Sequence, residues 1–365
     1  MLEKTKPSAV VMTAGRFHEP YSKVAHGLVR ETDRYQIVAV IDAVSAGRDA
    51  GEIVDGRDRG IPVVASIAEA IALAETRPTW AILGVATHGG RLSDKLIACA
   101  RDALQDDMSV VSGLHGLLCD RPELVAMADE KGLELIDLRK PKRPDELHFW
   151  TGRVHEVSAP RLAVLGTDCA VGKRTTTRWL MAALHDAGVH AEMIFTGQTG
   201  WLQGSKHGFV LDSTPNDFVS GELEHAIVAC DDQASPDLIL LEGQSALRNP
   251  SGPCGSELLL SGAAKAAILQ HAPGRIWFDD FRAVDALLPS VSDEIDLISA
   301  YGTKVLGVTL NGEGLSRDEL LAERDRLRES VEAVIVAPLL EGVKALVEPV
   351  QKYLKNEAEN GVEEL

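Results

Sequence analysis

Aromatic side chains make up only 4% of this 365-residue chain, too few for the stacking platforms that hold single-stranded nucleic acids. Cysteine is sparse as well. Cys99, Cys119, Cys169, Cys230 and Cys254 are scattered and never stand in a CxxC arrangement, which excludes a disulfide framework and a zinc site, and no metal is expected. Positive charge is in deficit, with 37 Lys and Arg against 55 Asp and Glu and a formal net charge of −18. A duplex or an anionic bilayer would repel such a chain at long range, so neither nucleic acid nor membrane is an expected partner. No apolar run is long enough to span a bilayer, and the first residues lack the basic start, apolar stretch and cleavage site of a secretory leader. The expected location is the cytoplasm.

What is present is a globular composition, 45% hydrophobic and 25% charged, with 32 glycines for tight turns and mean hydropathy near zero; its length suits two domains. Short apolar runs at 9–12, 36–41, 61–64, 80–85, 109–111 and 133–138 alternate with helical spacing such as 66–75 and 94–104, the signature of a parallel α/β sheet. The pattern breaks in RKPKRPDELHFWTGRVHEVSAPR, where each proline restricts the residue before it. It restarts with a strand at 161–165, a helix at 173–186 and strands at 191–195, 238–241, 266–269, 305–309 and 333–336. Ser316 with Glu319 three residues on forms a capping-box pattern, and 341–356 reads as a terminal helix before the acidic end Glu363, Glu364, Leu365. The expected architecture is α/β, an N-terminal Rossmann-like parallel-sheet domain (1–150) followed by a P-loop NTPase-like α/β domain (151–365).

The sharpest motif is LAVLGTDCAVGKRTTTRWL, an apolar strand running into a Gly-bounded loop that opens a helix. Gly166 and Gly172 permit a tight turn, and the amides of Thr167, Asp168, Cys169, Ala170 and Val171 together with Lys173 can hold phosphate oxygens at a helix N-terminus. Two departures from GxxxxGK[ST] matter. One more residue separates the glycines, and Arg174 stands where a hydroxyl would bind magnesium, displacing that hydroxyl to Thr175. A guanidinium adds a bidentate phosphate contact, suited to a ligand with a diphosphate and a further phosphate.

Glu242 ends the strand 238–241 beside this loop, where a carboxylate binds metal through water, takes a proton or is a solvated strand-end acid. Thr196 to Gly200 make a second Gly-flanked polar loop, and Asp217 precedes a helix beginning near Ser220, as a cap or a base. In the first domain Asp42 ends the second strand, yet the turn TAGRFHEPYSK lacks GxGxxG, so a nicotinamide site is not expected. Other strand-end loops carry Thr87, His88 and Arg91, then His115, then Arg139 and Lys140, each histidine read as structural or as part of a site.

The segments GRFHEPYSKVAHGLVR, VASIAEAI, GGRL, SGLH, DLRKP, GTDCAVGKRTTT, FTGQTG, NDFVSGELE and LLEGQ resemble, across nearly the whole chain, the DUF1611 family, whose characterised members are D-glutamate N-acetyltransferases. The second domain alone is similar to dethiobiotin synthetase, in which a hydroxyl follows the lysine. The resemblance implies a homo-oligomeric enzyme moving an acetyl group from acetyl-CoA to the amine of D-glutamate, with the CoA phosphates on the loop 166–175. That chemistry needs a base, oxyanion donors and carboxylate anchors. The candidates are Glu242 or Asp217 as base, Gln198 or Thr199 as donors, and Lys23, Arg91 or Arg139 as anchors. The rival readings are an ATP-dependent kinase or ligase using Mg-ATP, with Lys173 on the phosphates and Thr175 on magnesium, and a nucleotide-responsive regulatory protein.

Overall fold

Along the strand Ser8–Met12 (β1) every residue is buried, with Val10 and Met12 in one apolar cluster and Ala9 and Val11 in another. Alternate side chains leave opposite faces of a strand, so both faces of this sheet are covered, the setting in which all-parallel sheets occur. In the computed structural model, which describes residues 6–86, 88–279 and 281–363, β1 joins β2 (Gln36–Ile41), β3 (Val63–Val64), β4 (Trp80–Leu83), β5 (Ser109–Ser112) and β6 (Leu135–Asp137). They form a six-stranded sheet of order β3-β2-β1-β4-β5-β6, parallel throughout, which is the Rossmann arrangement.

A second sheet contains β7 (Arg161–Gly166), β8 (Ala191–Phe195), β9 (His207–Gly208), β10 (Leu238–Glu242), β11 (Ala266–His271), β12 (Lys304–Leu310) and β13 (Val334–Val336). Its order is β13-β12-β11-β7-β10-β8-β9, again parallel. β7 lies between β10 and β11, so the loop leaving its C-terminal end opens where the strand order turns back, the crevice in which such sheets bind ligands. Leu162 and Val164 of β7 pack with Leu180 and Leu184 of the helix Lys173–Asp186. The i, i+4 spacing of those leucines puts both on the face turned to the sheet.

The chain divides into two units, one holding the chain up to Lys142 with Gly197–Ser205 and Val210–Thr214, the other holding Arg143–Thr196, Lys206–Phe209 and the chain from Pro215 onward. The two short segments follow β8 in sequence yet belong to the first unit: in the first of them Leu202 is buried in the cluster of Ala9 and Val11, and Gln203 Nε2 donates to the carbonyls of Gly27 and Glu31. From Arg143 onward the proline-rich stretch is packed in the second unit. Its His148 and Thr151 amides donate to the Glu222 and Glu224 carboxylates of the helix Asn216–Ala234. That helix starts at Asn216, ahead of the expected Ser220, because Pro215 supplies an extended residue at its N-cap. The terminal helix is Val347–Glu363, later than expected, because Gly342 at φ 72° stops the short turn Pro338–Glu341. The Ser316–Glu319 capping box is present. Among the described residues no helix is long and apolar enough to cross a membrane.

Candidate functional site

The loop after β7 bends through Ala170 at φ 53° and reaches the helix Lys173–Asp186 through Gly172 at φ 110°, two left-handed residues that turn the chain tightly from strand to helix. Lys173 lies back along this loop. Its Nζ donates to the carbonyl of Asp168 at 2.7 Å and to that of Ser245 at 2.6 Å; an ammonium has three N–H donors, and these contacts use two. A Cβ at Gly166 would come within 3.0 Å of Lys173 Nζ, and one at Gly243 within 2.3 Å of Val164 O and 3.1 Å of Lys173 Cδ. Both glycines are therefore the walls of the lysine's channel. Burial pulls the Lys173 pKa down to about 8.

Asp168 shapes the loop. Its carboxylate is fully buried; Oδ1 accepts from the Cys169 amide and Asn249 Nδ2, and Oδ2 accepts from Arg275 Nη1 at 2.9 Å and the Asp279 amide at 2.8 Å. Arg275 Nη1 also donates to Cys169 O, while its Nε and Nη2 hold Glu313. Thr167 Oγ1 is 2.9 Å from His271 Nδ1, Asn311 Nδ2 donates to Val171 O, and Thr176 Oγ1 donates to Gln270 Oε1. The side chains of Thr167 and Asp168 thus hold the loop in shape. Arg174 and Thr175 are half-buried in the first helical turn.

Glu242 ends β10 in register with Val164 of β7 and is 2% exposed. Its Oε2 accepts from the Thr196 amide at 3.2 Å. Burial pushes its pKa up, against the pull of Arg174, Lys173 and Arg178. Asp217, by contrast, is exposed in the first turn of Asn216–Ala234, a helix with no side-chain cap, so it favours the helix dipole and does not cap.

The remaining expected site residues lie in the first unit. Gln198 and Thr199 are buried in the first turn of the helix Gln198–Leu202, with Gln198 packed so closely on Gly113 that a Cβ there would meet its Cγ at 2.6 Å. Arg139 is engaged by Asp212 and by Gly113 O. Lys23 and Arg91 are exposed, one opening the helix Lys23–Arg30 and the other following the turn His88–Gly90. Thr87 and the His88 side chain lie outside the described residues. Asp42 is saturated: Thr13 Oγ1 and the amides of Phe17, Val44 and Ser45 all donate to it, a structural role in place of a ribose contact. Sequence reasoning missed Gln270, His271, Asn311, Asn249 and Arg275. Gln270 and His271 end β11, the neighbour of the phosphate strand β7, and Asn311 follows β12, the next strand out; that position was their only signal.

Residues 148–347 match a P-loop domain described as domain of unknown function DUF1611_C, and residues 44–141 match the Rossmann-like domain DUF1611_N. The chain belongs to the DUF1611 family. A crystal structure of a DUF1611 family protein from Anabaena variabilis superposes with a TM-score of 0.85 at 25% sequence identity, covering 94% of this chain and 99% of that one. A protein named D-glutamate N-acetyltransferase from a Pseudoalteromonas species is 30% identical over 278 residues, 73% of this chain and 79% of its own. One of the same name from Tritonibacter scottomollicae is 29% identical over 274 residues, with the same coverage. The chain thus joins a Rossmann-like domain to a P-loop domain, and the two relatives above carry the name of an acyltransferase.

Proposed function

We propose that this protein transfers the acetyl group of acetyl-CoA to the amine of D-glutamate. The carrying observation is the Lys173 ammonium, buried in a Gly-walled loop and followed by Arg174 where a magnesium-binding hydroxyl would stand. CoA carries a diphosphate and a separate ribose phosphate; Lys173, the loop amides and Arg174 hold such groups by charge-assisted hydrogen bonds, with no need of metal or hydrolysis. The names of the two relatives supply the acceptor.

In the transfer, the substrate ammonium first gives up a proton to a base. The amine nitrogen then attacks the thioester carbon, the C–S bond breaks, and the CoA sulfur leaves as thiolate and is protonated. Glu242 suits the base: burial raises its pKa toward the working range, whereas Asp217 is open to water. The experiment is free-thiol release from acetyl-CoA over a panel of L- and D-amino acids. The rate should peak with D-glutamate. Equal rates with amines lacking carboxylates, or no thiol release from any amine, would overturn the reading.

A further inference from the structure

We propose that Arg139 is a carboxylate-binding site that the protein's own Asp212 fills, and that an acidic amino acid or dicarboxylate binds by displacing Asp212. The inference rests on the acetyl-transfer reading only for naming D-glutamate as the acid; the site itself is argued from geometry.

Arg139 Nε lies 3.0 and 3.1 Å from the two Asp212 oxygens, and Nη2 lies 2.6 Å from Oδ2. This is the forked pairing in which arginine recognises a carboxylate. On its other edge Nη1 donates to Gly113 O, a contact that does not involve Asp212. The two partners differ in how firmly they are held. The Arg139 side chain is 11% exposed and that of Asp212 42%.

The position is that of a ligand site. Arg139 follows the end of β6 at Asp137, and Gly113 follows the end of β5 at Ser112, so the cation sits at the carboxyl edge of adjacent parallel strands. His115, leaving the same strand end, places Nε2 3.8 Å from Asp212 Oδ2. Two nitrogen-bearing side chains therefore converge on one carboxylate in a chain whose net charge is −18.

Asp212 arrives on a removable element. The single turn Leu211–Ser213 has no buried residue, and among the described residues Ser213 and Thr214 bond back locally, to Val210 and Leu211. An incoming carboxylate of matching geometry replaces the Asp212 fork with an equivalent one, so the exchange keeps the arginine paired and costs only the release of that turn. Asp212 then acts as a competitor in cis: it keeps the cation from pairing non-productively and lowers apparent affinity by the fraction of time the fork is filled.

The test is calorimetric titration of the full chain with D-glutamate, with glutarate as a dicarboxylate lacking the amine, and with D-glutamine. Wild type should bind glutarate. Asp212→Asn should tighten glutarate and D-glutamate by roughly 5-fold or more, D-glutamine less, and Arg139→Lys, which keeps the charge and loses the fork, should weaken all of them with thermal unfolding unchanged. In the unaltered protein, saturating glutarate should raise amide exchange at 211–214. Unchanged or weaker binding in Asp212→Asn, unchanged exchange at 211–214 under saturation, or no glutarate binding at all overturns the proposal and leaves the ion pair a staple. The outcomes separate from those of acetyl transfer. Tighter glutarate binding without thiol release keeps this site and sinks the transfer, while D-glutamate-dependent thiol release with an unchanged KM in Asp212→Asn does the reverse.

Discussion

The ammonium of Lys173 lies 2.6 Å from the carbonyl oxygen of Ser245, a residue whose own backbone is left-handed at φ 39°. The chain leaving β10 is bent so that this carbonyl meets the lysine, and the bend lies three residues after Glu242. One strained residue thus ties the phosphate loop to the strand end that carries the buried carboxylate.

The buried ammonium gives affinity a pH signature. Lys173 has its pKa pulled down to about 8 in the free protein, and a bound phosphate favours the charged form and raises it. Acetyl-CoA affinity should therefore be constant below about pH 8 and fall above it. Lys173→Arg should lose that dependence, and Lys173→Ala should weaken binding by ~1.5–3 kcal/mol at neutral pH, the range for one charge-assisted contact. Titration calorimetry on either side of that pH reads all three.

Removing the proton acceptor should slow turnover without loosening the ligand. Glu242→Gln should keep acetyl-CoA affinity and lower kcat by ~10²–10⁴-fold. It should also flatten the acidic limb of the pH–rate profile, which in wild type falls at a pH above the ordinary carboxylate range because burial raises this pKa. A carboxylate whose folded pKa is raised costs stability as pH climbs through the window, so the glutamine variant should melt no lower than wild type. Near-normal turnover in Glu242→Gln would pass the role to another group.

His271 makes the loop acid-sensitive. Burial lowers its pKa from 6.5 to about 4 while its Nδ1 meets Thr167 Oγ1, so the unfolded chain takes up the proton first. Stability contributed by this neutral imidazole is complete above pH 6.5 and is lost as pH falls toward 4. Thermal unfolding across that range should show His271→Gln losing less of its midpoint than wild type.

Gly243 carries no side chain for a steric reason. A Cβ would stand 2.3 Å from Val164 O and 3.1 Å from Lys173 Cδ, so Gly243→Ala should destabilise by ~1–3 kcal/mol through overpacking and displace the lysine. Its thermal midpoint should fall and its acetyl-CoA affinity should drop by at least as much as in a variant that only loses stability elsewhere in the second sheet.

How much of this was readable from the sequence follows from where the partners sit. Strand, loop, Lys173 and helix are contiguous, so the phosphate loop and the helix Lys173–Asp186 could be placed from spacing alone. Arg275 is 107 positions from the Asp168 it holds, and no local pattern marks such a pair. Asp212 was invisible for a different reason. It follows a strand of the second sheet in sequence but belongs to the first unit, whereas a proline-rich stretch announces one division of the chain and cannot announce a return. β9 is only two residues long, His207–Gly208, too short for any periodicity to show.

The proposed transfer stands or falls on whether the loop 166–175 holds acetyl-CoA. Separate calorimetric titrations of the wild-type protein with acetyl-CoA in the absence of divalent metal and with Mg-ATP test it most directly. Acetyl-CoA should bind without metal, and Lys173→Ala should weaken it; tight Mg-ATP binding with no response to acetyl-CoA would contradict acetyl-CoA binding at this loop.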